Sequence, residues 1–182
     1  MLRTKDILDE KDPRVRAKNT DVDFPLNDEY KDIIPEMLKH LRYSQIEKLS
    51  KKYDLRPGMG LAAPQLGINK NFFVVCFEVK DGVFDDYILI NPKVISYSEE
   101  MIYAGEGEGC LSINREVEGI VPRHARITVE AYDLDGNKRK YRVREDLAIA
   151  FQHELDHLNG ILFVDYIDPK DPYKNADLYR EI

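Results

Sequence analysis

Two histidines four residues apart, in an otherwise apolar segment, restrict how this chain can fold more than any other feature. His153 and His157 belong to the pattern His-Glu-x-x-His. On an α-helix, residues four apart share one face, with a rise of about 6 Å between them. Both imidazoles can therefore reach one metal ion, and Glu154 is near enough to hold a water there and take its proton.

The neighbouring residues predict that this helix is central and buried. Glu145 and Asp146 supply negative charge at its expected start, and Asn159-Gly160 is typical of a helix end. Apolar residues lie on most sides of the segment between these ends. Buried histidines and a buried glutamate are costly unless they are paired or bind metal. The alternative is a chance match, in which the histidines are merely hydrogen-bonded.

The source of a third metal ligand separates two classes of protein. One class of metalloproteases extends the pattern to His-x-x-Gly-x-x-His; Gly160 fits, but Phe163 stands where the last histidine would be. Cys110 lies far earlier in the chain and is the natural alternative. A thiolate with two imidazoles suits a tetrahedral metal that keeps one open position. Taken alone, Cys110 would more readily be a small buried hydrophobe.

Length and charge set the general class of the protein. The chain has 182 residues, which predicts one catalytic domain over 1–182, with 1–26 as an N-terminal approach segment and 166–182 as a surface tail. The net charge of −7 argues against nucleic-acid binding. No apolar run is long enough for a membrane span, and the N-terminus has no apolar signal region. Two cysteines cannot form a disulfide framework, so a cytoplasmic location is expected.

Hydrophobic periodicity predicts two further helices and several strands. Asn27 caps a first helix that carries an apolar stripe to Leu41, and the capping-box pattern Ser44 to Glu47 starts a second helix that ends near Tyr53. A short helix is expected at Pro13. Turn residues at Asp81-Gly82 and Asp135-Gly136 separate neighbouring strands. The predicted strands are 71–79, 87–91, 94–97, 117–121, 126–133 and 138–143.

Two glycine-rich segments do not fit a helix or an ordinary strand. In 58–65, two glycines flank Met59, and Gln65 follows a small apolar run, so its side chain is expected to point into a site. In 105–112, alternating glycines give an extended backbone that other groups can approach closely. An ordinary tight loop is the alternative for the first segment. His40 and His124 are expected to be structural or solvated histidines.

These three segments together resemble one known family. Gly58-Met59-Gly60-Leu61-Ala62-Ala63-Pro64-Gln65, Glu108-Gly109-Cys110-Leu111-Ser112 and Gln152-His153-Glu154-Leu155-Asp156-His157, in this order, resemble peptide deformylase over about residues 5–168. Residues 123–127 and the long segment 77–108 are similar to the type II branch. The resemblance implies an α+β fold in which antiparallel sheets surround the helix that carries His-Glu-x-x-His.

The resemblance also implies a reaction and residue roles. The expected activity is removal of the N-formyl group from the N-terminal formylmethionine of newly made polypeptides, with release of formate. Cys110, His153 and His157 would hold one divalent metal, and Glu154 would act as the base. Gln65 and the Leu111 N–H would stabilise the oxyanion. The residues expected to bind substrate are Gly60, Met59, Ile149 and Ala150. A Glu108–Arg123 ion pair is implied behind the metal ligands.

The cofactor, the partners and two rival functions complete the expectations. The family commonly uses Fe(II) and works with nickel or cobalt, whereas the ligand set alone resembles a zinc site. The chain is expected to be a monomer near the ribosome, without the long C-terminal helix linked to ribosome docking in the type I branch. One rival is a zinc metallopeptidase with Glu181 as a poor third ligand; the other is a protein with a purely structural metal.

Overall fold

Three α-helices, eight β-strands and five short 3-10 helices make up the regular structure of the computed structural model, which describes residues 1–182. The helices are α1 (Asp28–Gln45), α2 (Glu47–Tyr53) and α3 (Glu145–Leu158). The strands are β1 (Gly60–Ala62), β2 (Phe72–Lys80), β3 (Val83–Tyr97), β4 (Met101–Tyr103), β5 (Arg123–His124), β6 (Arg126–Tyr132), β7 (Lys138–Arg144) and β8 (Arg180–Glu181). None of the helices combines the length and the apolar composition that crossing a membrane requires.

Five strands form one antiparallel sheet in the order β1-β2-β3-β6-β7. The two predicted hairpin turns are present, with Gly82 at φ +72° and Gly136 at φ +79°. β3 is a single long strand where two were expected, because pairing with β6 resumes after Pro92 with a shift in register between Ile90 and Lys93. Asn91 has a φ of +51° at this irregularity.

β2 separates the two largest clusters of buried side chains. Its alternate residues Phe72, Val74 and Cys76 face one cluster of buried side chains, whereas Phe73 and Val75 face another. This alternation follows from the two-residue period of a strand. α1 covers the first face and α3 the second, so residues Phe72 to Cys76 of the strand are buried on both sides, whereas its last residues are exposed.

α3 lies against the five-stranded sheet through a group of aromatic rings. Phe151 is fully buried, and its ring centroid lies 5.7 Å from Phe73, 5.4 Å from Tyr87 and 6.1 Å from Tyr141. The three edge-to-face arrangements are the geometry that aromatic quadrupoles prefer. The predicted α+β class, in which antiparallel strands surround a central buried helix, is confirmed.

α1 begins as predicted, but α2 does not. The Asn27 side chain accepts from the Glu29 N–H and caps α1. The capping box expected at Ser44 is wrong: α1 continues through Gln45, and the Ser44 hydroxyl donates to the Leu41 carbonyl at 2.7 Å. α2 starts after Ile46 without a side-chain cap.

A second, smaller sheet joins distant parts of the chain in the order β5-β4-β8. β4 pairs antiparallel with β5 but parallel with β8, and this parallel pair departs from the expected antiparallel pattern. The segment 166–182 is largely exposed, yet its last residues return to the body of the protein. The strand expected at 117–121 is wrong, since these residues form a loop with Gly119 at φ +134°.

Candidate metal centre and active site

Three potential metal ligands meet beside α3. The ligand atoms of Cys110, His153 and His157 all lie within 4.8 Å of one another. The Cys110 Sγ is 3.3 Å from the His157 Nε2. α3 supplies both imidazoles from successive turns, and the loop after β4 supplies the thiol. Cys110, which is distant in sequence from the two histidines, therefore lies where a third metal ligand is needed.

The two imidazoles are oriented by different surroundings. The His153 Nδ1 lies 2.9 Å from the Glu108 Oε1, so its Nε2 is left to face the thiol. Phe163 stacks on His153 with 6.0 Å between ring centroids; it occupies the position where a metalloprotease would have its last histidine. The buried His157 Nδ1 has no hydrogen-bond partner. Burial lowers the pKa of His157, which favours the neutral, ligating form.

This donor set fits a divalent metal. A thiol and two imidazoles are borderline-soft ligands, and three protein ligands are the number typical of catalytic rather than structural sites. Beside them, the buried Glu154 Oε2 has no partner in the chain. The purely structural role needs a fourth protein ligand, and no other His, Cys, Asp or Glu joins this cluster.

Buried charges behind the ligands form a continuous network. Arg123 is 3% exposed and donates to both Glu108 oxygens at 2.9 Å, which confirms the expected ion pair. Its Nη1 donates to the Asp156 Oδ2 at 2.5 Å, and the Tyr166 hydroxyl donates to the Asp156 Oδ1 at 3.0 Å. Burial opposes the charged form of Glu108, yet hydrogen bonds from His153 and Arg123 outweigh it and lower its pKa. The network therefore fixes Glu108 in its ionised, accepting form.

Glu154 is the buried acid of the site. Its side chain is 3% exposed, and burial raises its pKa to about 7. The backbone of Gly60 lies against it, since a Cβ on Gly60 would be 2.3 Å from the Glu154 Oε1. The glycine predicted to approach a substrate therefore also makes room for this carboxylate.

Gln65 points into the site, as its position after a small apolar run suggested. Its Oε1 accepts from the Ala62 N–H at 2.9 Å, so its Nε2 faces the other way, 3.1 Å from the Ser112 Oγ and 3.6 Å from the Cys110 Sγ. The neighbouring Leu111 N–H donates to no acceptor in the chain. Two N–H donors thus flank the metal-capable cluster.

One cleft of about 980 Å³ opens onto these groups. All four residues expected to bind substrate line it: Met59, Gly60, Ile149 and Ala150. Met59 is 38% exposed at the rim, whereas Ile149 is 8% exposed in the wall. Cys110, His153, Glu154, Gln65 and Leu111 line the same cleft. His157 is not among the lining residues and lies behind them.

Several contributors were not found from the sequence. Asp156 and Tyr166 complete the buried network. Asp156 could have been suspected from the sequence, because it lies directly before His157 in the His-Glu-x-x-His pattern. Arg56 donates to the Cys110 carbonyl and to the Asn114 Oδ1, and these two bonds hold the loop that carries the cysteine. Ile182 lines the cleft although its segment was expected to be a surface tail.

The remaining histidines and the rival ligand lie away from the metal-capable cluster. His124 is structural, with its Nδ1 2.7 Å from the Ser98 carbonyl oxygen and its ring 4.7 Å from Tyr97. His40, which was expected to be solvated or at the edge of the core, is fully buried, and its Nδ1 lies 3.2 Å from the Leu2 carbonyl oxygen. Glu181 accepts from the Tyr103 hydroxyl at 3.2 Å and is not part of the cluster.

Comparisons with known proteins cover nearly the whole chain. The family model described as polypeptide deformylase matches residues 4–173. A peptide deformylase of Macrococcus caseolyticus is 49% identical over 175 residues, which are 96% of this chain and 95% of that protein. One of Oceanobacillus iheyensis is 46% identical over 173 residues, covering 95% and 94% of the two chains.

Solved structures give the same assignment. A probable peptide deformylase from Synechococcus phage S-SSM7 superposes with a TM-score of 0.73 at 34% identity, over 88% of this chain and 98% of the other. A plant peptide deformylase gives a TM-score of 0.74 at 30% identity, over 90% of this chain and 80% of the plant chain. Because both the sequence and the fold match at this coverage, the chain belongs to the polypeptide deformylase family, enzymes that remove the N-formyl group from newly made polypeptides.

Proposed function

We propose that this chain hydrolyses the formyl amide of an N-terminal formylmethionine with Glu154 as proton carrier and with Cys110, His153 and His157 as ligands of one divalent metal. The observation that carries the proposal is that three potential ligands meet beside a buried, partly unpartnered carboxylate, and that Cys110, His153 and Glu154 of this group line one cleft. We also propose that residues 1–182 act as one catalytic unit, since both sheets, α3 and their connecting loops contribute to this cleft.

The metal would supply Lewis acidity, which makes a water acidic and polarises the formyl carbonyl. We propose iron(II), as the family resemblance implies, although the ligand set would also accept zinc, nickel or cobalt. Glu108 supports this role because it accepts from His153 and so aims the imidazole.

Glu154 is the group in the cleft best suited to move a proton. Its carboxylate has one oxygen without a partner, and its pKa, raised by burial to about 7, suits both uptake and release of a proton near neutral pH. We propose that it takes the proton of the attacking water and later delivers that proton to the leaving amine of methionine. The C–N bond of the formyl amide breaks, and formate and a free amino terminus are the products.

Two N–H groups are proposed to stabilise the oxyanion of the reacting carbonyl. The Gln65 Nε2 is held beside Cys110 because the Oε1 of the same amide accepts from the Ala62 N–H. The Leu111 N–H has no acceptor in the chain and so is free to donate. Donors that are fixed before the reaction cost no reorganisation when charge develops.

The substrate is proposed to lie as an added strand beside β1. β1 is an edge strand of the five-stranded sheet, so one side of its backbone is unpaired. Met59, Ile149 and Ala150 would contact the methionine side chain, and the backbone of Gly60 would lie next to the peptide. We propose that the close approach of Gly60 to Glu154 favours the small formyl group over a larger acyl group.

The setting of the reaction follows from its substrate. Newly made formylated chains appear at cytoplasmic ribosomes, so we propose a cytoplasmic enzyme that works close to the ribosome. We propose that it acts as a monomer, because all groups named above come from one chain. Its partner is the nascent polypeptide, and no direct contact with nucleic acid is part of the proposal.

Formate release tests the proposal directly. The enzyme is prepared without oxygen, reconstituted with iron or nickel, and given a formyl-Met tripeptide. We expect fast release by the wild type and near-complete loss in Glu154→Gln at unchanged metal content. Glu99→Gln, at an exposed glutamate in the loop before β4, is the matched control and should keep full activity. No formate from a metal-loaded wild type would contradict the proposal.

Metal content separates this function from the peptidase alternative. Cys110→Ala should lose the metal, whereas Glu181→Ala should retain it, because Glu181 lies outside the cluster of ligands. The reverse result would favour a peptidase with a different third ligand.

A further inference from the structure

The last strand of the chain forms part of the wall of the cleft. After β8, the Ile182 N–H donates to the Tyr103 carbonyl at 3.0 Å, and the Gly105 N–H donates to the Ile182 carbonyl at 2.9 Å. These two bonds place Ile182 beside Ala104, and both residues line the cleft. The position of Ile182 is therefore set by the backbone and not by side-chain packing alone.

Gly105 lies close to the end of β8. A Cβ on Gly105 would lie 2.2 Å from the Glu181 Oε1, so a side chain there would displace the exposed Glu181 side chain. The two backbone hydrogen bonds, rather than this glycine, hold the end of β8 near the residues that line the cleft.

Arg180 connects β8 to α3 and to the loop before β4. It donates to the two Glu145 oxygens at 2.8 and 3.1 Å, and its Nε donates to the Glu100 Oε1 at 2.8 Å. Glu145 is the first residue of α3, the helix that carries the ligands. A two-pronged pairing of this kind fixes direction as well as distance.

The Ile182 side chain packs on a small apolar cluster that also contains Ile149, a residue of the proposed methionine pocket. It lies against buried Ile102, Ala125 and Ile149. Ile149 is one of the residues proposed above to contact the methionine side chain, and it lines the cleft together with Ile182. The two isoleucines therefore form adjacent parts of one apolar wall.

We propose that Ile182 is a specificity-determining residue for the side chain at the substrate's first position, and that Arg180 is the residue that positions it. This inference rests on the proposed function, because it concerns the same cleft. A branched apolar side chain at the end of the wall limits the length and width of the group that fits. Unbranched methionine is accepted, and wider side chains meet Ile182.

The test compares peptides that differ only in the formylated residue: methionine, alanine and phenylalanine, each followed by the same two residues. Ile182→Ala should lower kcat/KM for formyl-Met about tenfold, through KM, because apolar contact is lost. The same substitution should raise the ratio of kcat/KM for formyl-Phe to kcat/KM for formyl-Met by a similar factor. Ile182→Trp should instead favour formyl-Ala over formyl-Met. Leu178→Ala, at an exposed residue of the same segment, is the control and should leave all ratios unchanged.

Arg180 is tested by the same ratios. Arg180→Ala should raise KM for formyl-Met and shift the preference as Ile182→Ala does, with kcat largely kept. Arg180→Lys should restore part of the shift. Combining Arg180→Ala with Ile182→Ala should add little, since both changes remove the same wall.

The outcomes distinguish this inference from the proposed function. Preference ratios that stay at the wild-type values in both Ile182 variants would overturn the inference, even if formate release still depends on Glu154. A wild type that releases no formate would instead overturn the proposed function. Circular dichroism on each variant confirms that the protein compared is folded.

Discussion

The backbone of Gly60 and the carboxylate of Glu154 are in direct contact, with no room for a side chain between them. A Cβ at residue 60 would lie 2.3 Å from the Glu154 Oε1 and 2.7 Å from its Cδ. β1 therefore restricts where the carboxylate can be. The accuracy of that placement matters because proton transfer needs donor and acceptor within hydrogen-bond reach.

Gly60→Ala should displace Glu154 while leaving the metal ligands in place. A shift of about 1 Å in a catalytic group commonly costs about 100-fold in rate, so kcat should fall by about that factor with metal content unchanged. Gly82→Ala is the comparison: this turn glycine has open space around it but a φ of +72°, so the change should cost stability and not kcat. Full activity in Gly60→Ala would show that the carboxylate tolerates displacement.

Gln65→Ala should lower kcat without a matching change in KM. Loss of one oxyanion donor typically costs ~10²–10³ in kcat, and the effect arises in the transition state. Steady-state kinetics on protein of equal metal content measure it. Ser112→Ala keeps the Gln65 amide and removes only the hydroxyl that accepts from it at 3.1 Å, so its effect should be much smaller. Equal losses in the two variants would argue for a purely structural Gln65.

Arg123→Ala should destabilise the protein strongly. It leaves the buried Glu108 and the mostly buried Asp156 without their shared cation. Removing one partner of a buried ion pair costs about 3–5 kcal/mol. Arg139→Ala breaks an exposed pair with Asp133 and should cost about 0–1 kcal/mol. Denaturant unfolding gives both values, and a similar loss in the two variants would contradict this account of the network.

Acid should weaken the same network. The pKa of Glu108 is lower in the folded protein than its usual value, because hydrogen bonds from His153 and Arg123 outweigh its burial. Its contribution to stability is therefore present above its unfolded pKa of about 4.3 and disappears as the pH falls through the lower, folded value. The free energy of unfolding of metal-free wild type minus that of Glu108→Gln should shrink with falling pH. A difference that does not depend on pH would exclude Glu108 as the titrating group.

Local patterns in the sequence predicted the elements that carry the site. The four-residue histidine spacing identified α3, and the cap at Asn27 located the start of α1. The turn glycines Gly82 and Gly136 separated the paired strands. Each of these features depends on residues a few positions apart, which is the range over which helix and turn signals act.

Contacts between distant segments were not predictable in the same way. Tyr166 reaches Asp156 across the end of α3, and Ile182 reaches Ile149 through pairing of β8 with β4. The local sequence around Tyr166 or Ile182 contains no pattern that indicates which distant residue it contacts. The error at Ser44 has a related cause: its hydroxyl turns back to Leu41 within α1 and also accepts from the Gly58 N–H at 3.1 Å. A local capping pattern was overridden by a tertiary contact.

The direct passage from β7 into α3 has a consequence for the position of the histidines. β7 ends at Arg144 and α3 begins at Glu145, whose φ of +55° makes the turn without a connecting loop. The Glu145 N–H also donates to the Ala125 carbonyl at 2.9 Å, so the start of the helix is tied to the sheet. A substitution that shifts the end of β7 should therefore shift His153 and His157 together with the helix that carries them.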